Sequence, residues 1–225
     1  MRRAAVFDLD GTLADTSADL LSAANRRFEA AGLGTPLIKG RDDLIAFGGG
    51  KAMLRRGAEL LGLDWDEDRI AQEYFPFLDH YADGLLDETH LYDGVVDCLD
   101  VLEGQGWALG VCTNKPEAMA RAVLDGLGIL DRFGVMIGAD TLAERKPHPM
   151  PLAAVVDGLG SERAVLIGDT VTDVKTARAY GCPVVLVGFG PEGEGLARLE
   201  PDAMFGSFAE LPGVLAGMFD IGRAE

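Results

Sequence analysis

The feature that most constrains the fold of this chain is a series of short apolar runs, separated by stretches long enough to form helices. The apolar runs lie at residues 4–7, 107–112, 135–137, 164–167 and 184–187. Runs this apolar are typical of strands that are buried on both faces of a parallel sheet. Helical patterns lie at residues 93–103, 116–127, 149–159 and 171–179. This alternation predicts right-handed βαβ units and an α/β fold with a Rossmann-like parallel sheet.

One interval, residues 16–91, lacks a strand pattern and shows helical spacing of its apolar residues throughout. Its predicted helices lie at residues 17–31, 52–61 and 68–81. An interval of roughly seventy residues is too long for an ordinary connection between two elements. We therefore expect a helical cap domain at 16–91, inserted into a discontinuous core formed by 1–15 and 92–225. The alternative is an oversized helical crossover within a single domain.

Composition and charge exclude several classes of partner. The net charge of −17 argues against binding to nucleic acid or to an anionic membrane, because both require a basic surface. No apolar run approaches the roughly 20 residues that span a bilayer, and the amino terminus does not resemble a signal peptide. We expect a cytoplasmic protein that is a monomer or a homodimer. Three cysteines far apart in apolar surroundings are expected to be buried and unpaired: Cys98, Cys112 and Cys182.

Two acidic residues follow the first predicted strand. Asp8 and Asp10 are two residues apart where an extended segment ends, so both side chains can point the same way. Convergent carboxylates repel each other and therefore need a cation, a shared proton or different roles. The alternative is an ordinary Asp-Gly turn or a helix cap.

A second acidic pair follows the fourth predicted strand. Asp169 opens a predicted helix and Asp173 lies four residues later, on the same helical face. Ligands bind beyond the carboxyl ends of the strands in such sheets, so this pair is expected to lie near Asp8 and Asp10. Four carboxylates at one edge suit Mg²⁺, which prefers hard oxygen ligands. A helix cap and a solvated acidic residue are the alternatives.

The remaining polar residues at this edge are suited to an anion. Thr113 and Asn114 follow the second predicted strand and offer a hydroxyl and backbone N–H groups at a helix start, where phosphate commonly binds. Lys146 precedes Pro147 and could neutralise both a carboxylate nucleophile and a phosphate. A simple helix cap and a solvated lysine are the alternatives.

Within the predicted cap, three successive glycines precede Lys51. Glycines let backbone amides approach a ligand closely, so Gly50 and Lys51 are predicted to form an anion-binding site. The surrounding segment has more basic than acidic residues: Lys39, Arg41, Lys51, Arg55 and Arg56 against Asp42 and Asp43. The alternative is a flexible turn flanked by solvated basic residues.

Four motifs in order resemble those of the haloacid dehalogenase superfamily of phosphohydrolases. They are DLDGTLADT from Asp8, TNK from Thr113, KPHP from Lys146 and GDTVTD from Gly168. The resemblance covers essentially the whole chain, and the motifs look most like those of the phosphoglycolate phosphatase branch. It implies an Mg²⁺-dependent hydrolysis of a small phosphorylated metabolite, with 2-phosphoglycolate as the best candidate.

The resemblance also implies a role for each motif residue. Asp8 would attack phosphorus and form an aspartyl-phosphate, and Asp10 would protonate the leaving group and then deprotonate a water molecule. Mg²⁺ would bind the Asp8 carboxylate, the Asp10 backbone carbonyl and Asp169, with Asp173 in support. The transferring phosphoryl oxygens would be held by Thr113, Asn114 and Lys146.

Other functions are compatible with parts of the pattern. A sugar-phosphate phosphatase or a β-phosphoglucomutase-like phosphomutase would use the same core residues. A receiver-like phosphoacceptor protein without turnover would share the acidic residues, a Thr and a Lys, but not the cap or the acid at Asp10. Dehalogenases and phosphonate hydrolases of this fold lack the second acid, so the presence of Asp10 disfavours both.

Overall fold

A computed structural model describes residues 2–220 of the chain. The described residues contain strands at Arg3–Phe7 (β1), Ala14–Asp15 (β2), His90–Leu91 (β3), Trp107–Cys112 (β4), Val135–Ile137 (β5), Arg163–Gly168 (β6), Val184–Val187 (β7) and Ala203–Phe205 (β8). Six of them form one sheet in the order β5-β4-β1-β6-β7-β8, in which every pair of neighbours is parallel. The predicted parallel α/β core is thereby confirmed.

The helices of the described residues lie at Ser17–Ala30 (α1), Asp43–Ala46 (α2), Gly50–Leu60 (α3), Glu67–Ala82 (α4), Val95–Gly104 (α5), Glu117–Gly126 (α6), Met150–Gly158 (α7), Val171–Tyr180 (α8) and Leu211–Asp220 (α9). Short 3-10 helices lie at Leu130–Arg132 and Gly193–Leu199. Each helix expected from the sequence is present, and its ends lie within about two residues of the expected ones, which is the usual uncertainty of helix ends.

The chain divides into two compact units. One comprises the chain up to Leu13 together with the chain from Leu91 onward, and the other is Ala14–His90. The second unit contains α1 to α4, with α1 packed against α3 and α4. Its largest buried side chains are apolar residues spaced along these helices, namely Phe28, Met53, Leu54, Ile70, Phe77 and Tyr81. The unit therefore has a hydrophobic core of its own.

The central strands of the sheet unit are fully buried. In β1, Ala4–Phe7 have no exposed surface, and β4 is buried along its whole length. Gly110 in β4 allows α7 to pack directly on the strand, because a Cβ atom there would lie 2.4 Å from Cγ1 of Val155. Polar side chains are therefore confined to the ends of these strands, where the chain emerges from the core.

The three cysteines lie in the apolar interior, as their apolar sequence surroundings predicted. All three cysteines are buried and unpaired, and burial raises the pKa of Cys98, Cys112 and Cys182 to about 12. They pack as small apolar residues.

Within residues 2–220, no helix is both long and apolar enough to cross a membrane.

Candidate active site

Three carboxylates meet where β1 and β6 end. These strands are parallel neighbours, with Phe7 paired to Ile167, so the residues that follow them leave the sheet at the same edge. The backbone N–H of Asp8 donates to the Ile167 carbonyl at 2.8 Å, which fixes the start of the first loop. Carboxylate oxygens of Asp8, Asp169 and Asp173 all lie within 4.8 Å of one another, and all three residues are buried. This cluster could hold a metal ion.

The loop after β1 turns sharply and brings a further residue to the cluster. Gly11 has a φ of +78°, a value that other residues rarely adopt, and the Leu13 N–H donates to the Leu9 carbonyl at 2.9 Å. The turn places the Thr12 hydroxyl 3.0 Å from Oδ1 of Asp169, to which it donates. Thr12 orients one carboxylate of the cluster. Thr12 lies within the first motif, but no role was predicted for it from the sequence.

Lys146 contacts two carboxylates of the acidic cluster. Its Nζ is 2.8 Å from Oδ2 of Asp8 and 2.6 Å from Oδ1 of Asp173, and its side chain is 1% exposed. The side-chain amide of Asn114 donates to the Lys146 carbonyl at 3.0 Å and so holds this segment in place. A positive charge therefore lies against Asp8, the predicted nucleophile. The structural contact of the Asn114 side chain was not expected.

Asp173 has hydrogen-bond partners on both oxygens. Oδ1 accepts from Lys146, and Oδ2 accepts from the hydroxyl of Thr170 at 2.8 Å and from the backbone N–H groups of Thr170 and Asp169 at 3.1 and 3.3 Å. The Thr170 and Asp173 side chains form a capping box at the start of α8. Asp173 thus anchors Lys146 and the Asp169 loop, in addition to any part in metal binding.

The loop after β4 carries Thr113 and a second buried lysine. The Thr113 hydroxyl donates to Asp8, and its oxygen accepts from the Lys115 N–H at 3.2 Å. The Lys115 ammonium lies 2.8 Å from Oδ1 of Asp10, and the side chain of Lys115 is 2% exposed. Lys115 is the third residue of the TNK motif, and no role was predicted for it from the sequence. Its nearness to Asp10 in the fold could not be read from the spacing of the two residues.

Burial governs the protonation of the cluster. It raises the pKa of Asp8 to about 6, against the opposing effect of the Lys146 ammonium. Burial also raises the pKa of Asp169 well above its usual range, and repulsion by Asp173 and Asp8 adds to this. For Lys146, burial alone would lower the pKa, but the carboxylates of Asp173 and Asp8 raise it above its ordinary value. Burial therefore disfavours the charged forms of these carboxylates, and a bound cation would stabilise those charged forms.

Formal charge leads to the same conclusion. Among the described residues, Asp8, Asp10, Asp169 and Asp173 lie at this edge with the buried Lys115 and Lys146, so the charge is minus two when all four acids are ionised. One divalent cation would neutralise that charge. The two lysines also provide local positive charge for an anionic ligand in a chain of net charge −17.

Gly50 and Lys51 lie in the other unit, at the start of α3. A Cβ atom at Gly50 would lie 2.4 Å from Cε1 of Phe77 and 2.9 Å from Cε2 of Tyr74, so close packing of these rings requires glycine there. The Lys51 ammonium lies 5.6 Å from the centroid of the Tyr74 ring, within cation–π range. The packing of the rings thus explains Gly50 without any ligand.

The basic excess that the sequence shows around Lys51 is largely neutralised in the fold. Five ion pairs within the unit involve these basic residues, namely Lys39–Glu88, Arg41–Asp42, Arg55–Glu67, Arg56–Asp42 and Arg56–Glu59. Three of the acidic partners, Glu59, Glu67 and Glu88, lie outside the segment from which the charge was counted. An anion that binds to this segment would therefore depend mainly on the charge of Lys51.

Known proteins resemble this chain in sequence and fold. A family model described as haloacid dehalogenase-like hydrolase matches residues 5–187. The phosphoglycolate phosphatase of Rhodospirillum rubrum is 40% identical over 217 residues, which cover 94% of this chain and 90% of the relative. That of Mesorhizobium japonicum is 38% identical over 216 residues, with 94% and 93% covered. A crystal structure described as a predicted phosphoglycolate phosphatase from Haemophilus somnus has a TM-score of 0.79 at 27% identity and covers 95% of this chain and 98% of that one.

Proposed function

Because this chain belongs to the haloacid dehalogenase-like hydrolases, we propose that it is a phosphoric monoester hydrolase that acts on 2-phosphoglycolate with Mg²⁺. The observation that carries the proposal is the contact between Asp8 and Lys146 inside a buried cluster of carboxylates. Relatives named phosphoglycolate phosphatase that align over 94% of the chain support the choice of substrate.

The first half-reaction transfers the phosphoryl group to Asp8. A carboxylate oxygen of Asp8 forms a bond to phosphorus while the bond from phosphorus to the leaving oxygen breaks. Asp10 gives its proton to that oxygen, so the product leaves as an alcohol. Lys146 and Thr113, which both contact Asp8, and the backbone N–H of Asn114 are the proposed partners of the phosphoryl oxygens.

The second half-reaction returns the enzyme to its initial state. Water attacks phosphorus, Asp10 accepts a proton from it, and the bond between phosphorus and Asp8 breaks. Inorganic phosphate leaves, and both aspartates have regained their starting protonation. The proton that Asp10 gives in the first half is replaced in the second.

The donor set fits a hard divalent cation. Asp8 and Asp169 would hold Mg²⁺ together with the backbone carbonyl of Asp10, and Asp173 would support them. When bound, Mg²⁺ neutralises negative charge on the carboxylates and on the phosphoryl group.

Metal binding is expected to weaken as the pH falls, because the carboxylates must be charged to bind a cation. Burial raises the pKa of Asp8 to about 6, so protons compete with Mg²⁺ below that pH. At about a hundredfold excess over Kd, Mg²⁺ alone should stabilise the protein by about 2.7 kcal/mol, or about 5–10 °C in Tm, near pH 7.5, and much less near pH 5. Thermal unfolding with and without Mg²⁺ measures this.

The variant Asp169→Asn is the control and should lose most of the stabilisation by Mg²⁺. Ca²⁺ should substitute poorly in activity, because it does not keep the octahedral geometry that Mg²⁺ demands. Equal stabilisation at both pH values, or full activity in excess chelator, would contradict the assignment of the metal site.

We further propose that the helical unit is a cap that supplies contacts to the substrate, with Gly50 and Lys51 reaching its non-phosphate end. The cation of Lys51 supports this, because the carboxylate of 2-phosphoglycolate is an anion that a lysine can bind. Lys51→Ala should then lower kcat/KM for 2-phosphoglycolate about tenfold to a hundredfold, and that for p-nitrophenyl phosphate much less. The matched control is Lys39→Ala, because the ammonium of Lys39 already pairs with Glu88.

A cytoplasmic location and a monomeric or homodimeric state stay predictions.

The substrate is tested by phosphate release from purified protein with Mg²⁺. We expect kcat/KM for 2-phosphoglycolate to exceed that for hexose phosphates by at least about tenfold, which corresponds to about 1.4 kcal/mol of discrimination. A preference for hexose phosphates would favour a sugar phosphatase, and a requirement for a sugar bisphosphate would favour a phosphomutase. A stable phosphoprotein without turnover would favour a receiver-like phosphoacceptor.

A further inference from the structure

The two aspartates of the first motif are each held by a different buried lysine. Lys146 contacts Asp8 at 2.8 Å, and Lys115 contacts Oδ1 of Asp10 at the same distance. The side chains of Lys146 and Lys115 are 1% and 2% exposed. Burial of an ammonium group is costly unless carboxylates compensate it, and Lys146 has a second carboxylate partner in Asp173 at 2.6 Å. Lys146 has a role in the proposed mechanism because it contacts the nucleophile Asp8, whereas that mechanism gives Lys115 no function.

The backbone of Lys115 is fixed on both sides. Its N–H donates to the Thr113 hydroxyl at 3.2 Å, and its carbonyl accepts from the N–H of Ala139 at 2.9 Å. A Cβ atom at Gly138 would lie 2.9 Å from the Lys115 carbonyl oxygen and 2.6 Å from backbone atoms of Glu117, so glycine is needed for this close approach. The ammonium of Lys115 therefore extends from a rigid segment.

Asp10, by contrast, lies in a loop and its side chain is 20% exposed. The rotamer of a carboxylate decides where each of its two oxygens lies. General acid–base catalysis requires a rotamer in which a proton-bearing oxygen lies within hydrogen-bonding reach of the leaving oxygen. An ammonium on a rigid segment that binds one carboxylate oxygen restricts the choice of rotamer.

We propose that Lys115 is a positioning residue, which holds Oδ1 of Asp10 so that Oδ2 exchanges protons with the leaving oxygen and then with the attacking water. The proposal rests on the proposed function, in which Asp10 is the general acid. Lys115 gives up no proton and forms no bond to phosphorus. Its effect should therefore appear only where the reaction depends on Asp10.

The effect of a Lys115 variant on kcat/KM should depend on the leaving group if Lys115 positions Asp10, but not if it only supports the loop. An alkyl phosphate has a basic leaving oxygen that needs a proton, whereas p-nitrophenolate leaves readily without one. Three substrates are therefore compared by kcat/KM, which reports transfer to Asp8: 2-phosphoglycolate, ethyl phosphate and p-nitrophenyl phosphate. Lys115→Met should lower kcat/KM about tenfold to a hundredfold for both alkyl esters, as expected for a misplaced catalytic group, and less than about threefold for the aryl ester.

A double variant tests whether Lys115 acts through Asp10. Asp10→Asn should itself lower kcat/KM about 10²–10⁴-fold for the alkyl esters, and addition of Lys115→Met should lower it little further. The matched control is Lys175→Met, since Lys175 is exposed on α8. Thermal unfolding and the activity on the aryl ester show that each variant is folded.

The possible outcomes are distinct. Equal losses on all three substrates would mean that Lys115 only supports the loop, and a loss confined to 2-phosphoglycolate would mean that it binds the substrate carboxylate. Additive losses in the double variant would also overturn the positioning role. If Asp10→Asn shows no dependence on the leaving group, the proposed mechanism itself fails. If Asp10→Asn shows that dependence and Lys115→Met does not, only the present inference fails.

Discussion

Replacement of Asp8 by Asn is expected to abolish turnover while it leaves the fold intact. The amide has the same shape as the carboxylate but is a far weaker nucleophile, and loss of a covalent nucleophile typically costs on the order of 10⁴-fold or more in kcat. Burial raises the pKa of Asp8 to about 6, so the charge on Asp8 destabilises the folded, metal-free protein at neutral pH. The metal-free variant should therefore unfold at the same temperature as the parent or higher.

Phosphate release under single-turnover and steady-state conditions measures the loss. The parent protein should form a covalent phosphoenzyme that hydroxylamine cleaves, as an acyl phosphate requires, and the variant should form none. The exposed residue Asp125, near the end of α6, provides the matched control Asp125→Asn, which should keep full activity. Substantial turnover by freshly purified Asp8→Asn, free of contaminating phosphatase and of deamidated protein, would rule out covalent catalysis by Asp8.

Replacement of Lys146 by Met is expected to reduce both activity and stability. The change leaves Asp8 and Asp173 buried without their shared ammonium, and removal of one partner from a buried ion pair typically costs about 3–5 kcal/mol. In a chain of this length, that loss corresponds to a fall of about 6–20 °C in Tm. Activity should fall about 10²–10³-fold, because a positive charge next to the transferring phosphoryl group is lost.

The pH dependence distinguishes this effect from general destabilisation. Burial raises the pKa of Asp8, and Lys146 opposes that effect, so removal of Lys146 should raise the pKa further above about 6. Stabilisation by Mg²⁺ should then require a higher pH in Lys146→Met than in the parent. Lys175→Met again serves as the control. An unchanged Tm together with an unchanged pH dependence of metal binding would show that Lys146 has no electrostatic role.

Most of the sheet could be predicted because its strands are buried on both faces. The edge strand β8 escaped prediction because its apolar run is only three residues long, and only Phe205 of the three is buried. Helix α9 escaped for a different reason. Pro212, Gly213 and Gly217 lower its helix propensity, but Leu211, Leu215 and Phe219 recur at every fourth position and are buried. Tertiary packing overrides propensity in that segment.

The sequence by itself determined which chemical groups lie at the edge of the sheet. Parallel strands end at a common edge, so residues that follow β1, β4 and β6 had to lie near one another wherever the chain turned. The order of the motifs was therefore enough to predict that Asp8, Thr113 and Asp169 belong to one site.

Only the tertiary structure decided how these groups are paired and charged. Lys115 contacts Asp10, and Lys146 lies between Asp8 and Asp173, because the loops after the strands fold over the sheet edge in one particular way. The same is true of the Thr12 contact to Asp169 and of the ion pairs that neutralise the basic segment around Lys51. Hydrogen bonds and pKa values depend on separations of a few ångströms and on burial, and neither quantity follows from positions along the chain.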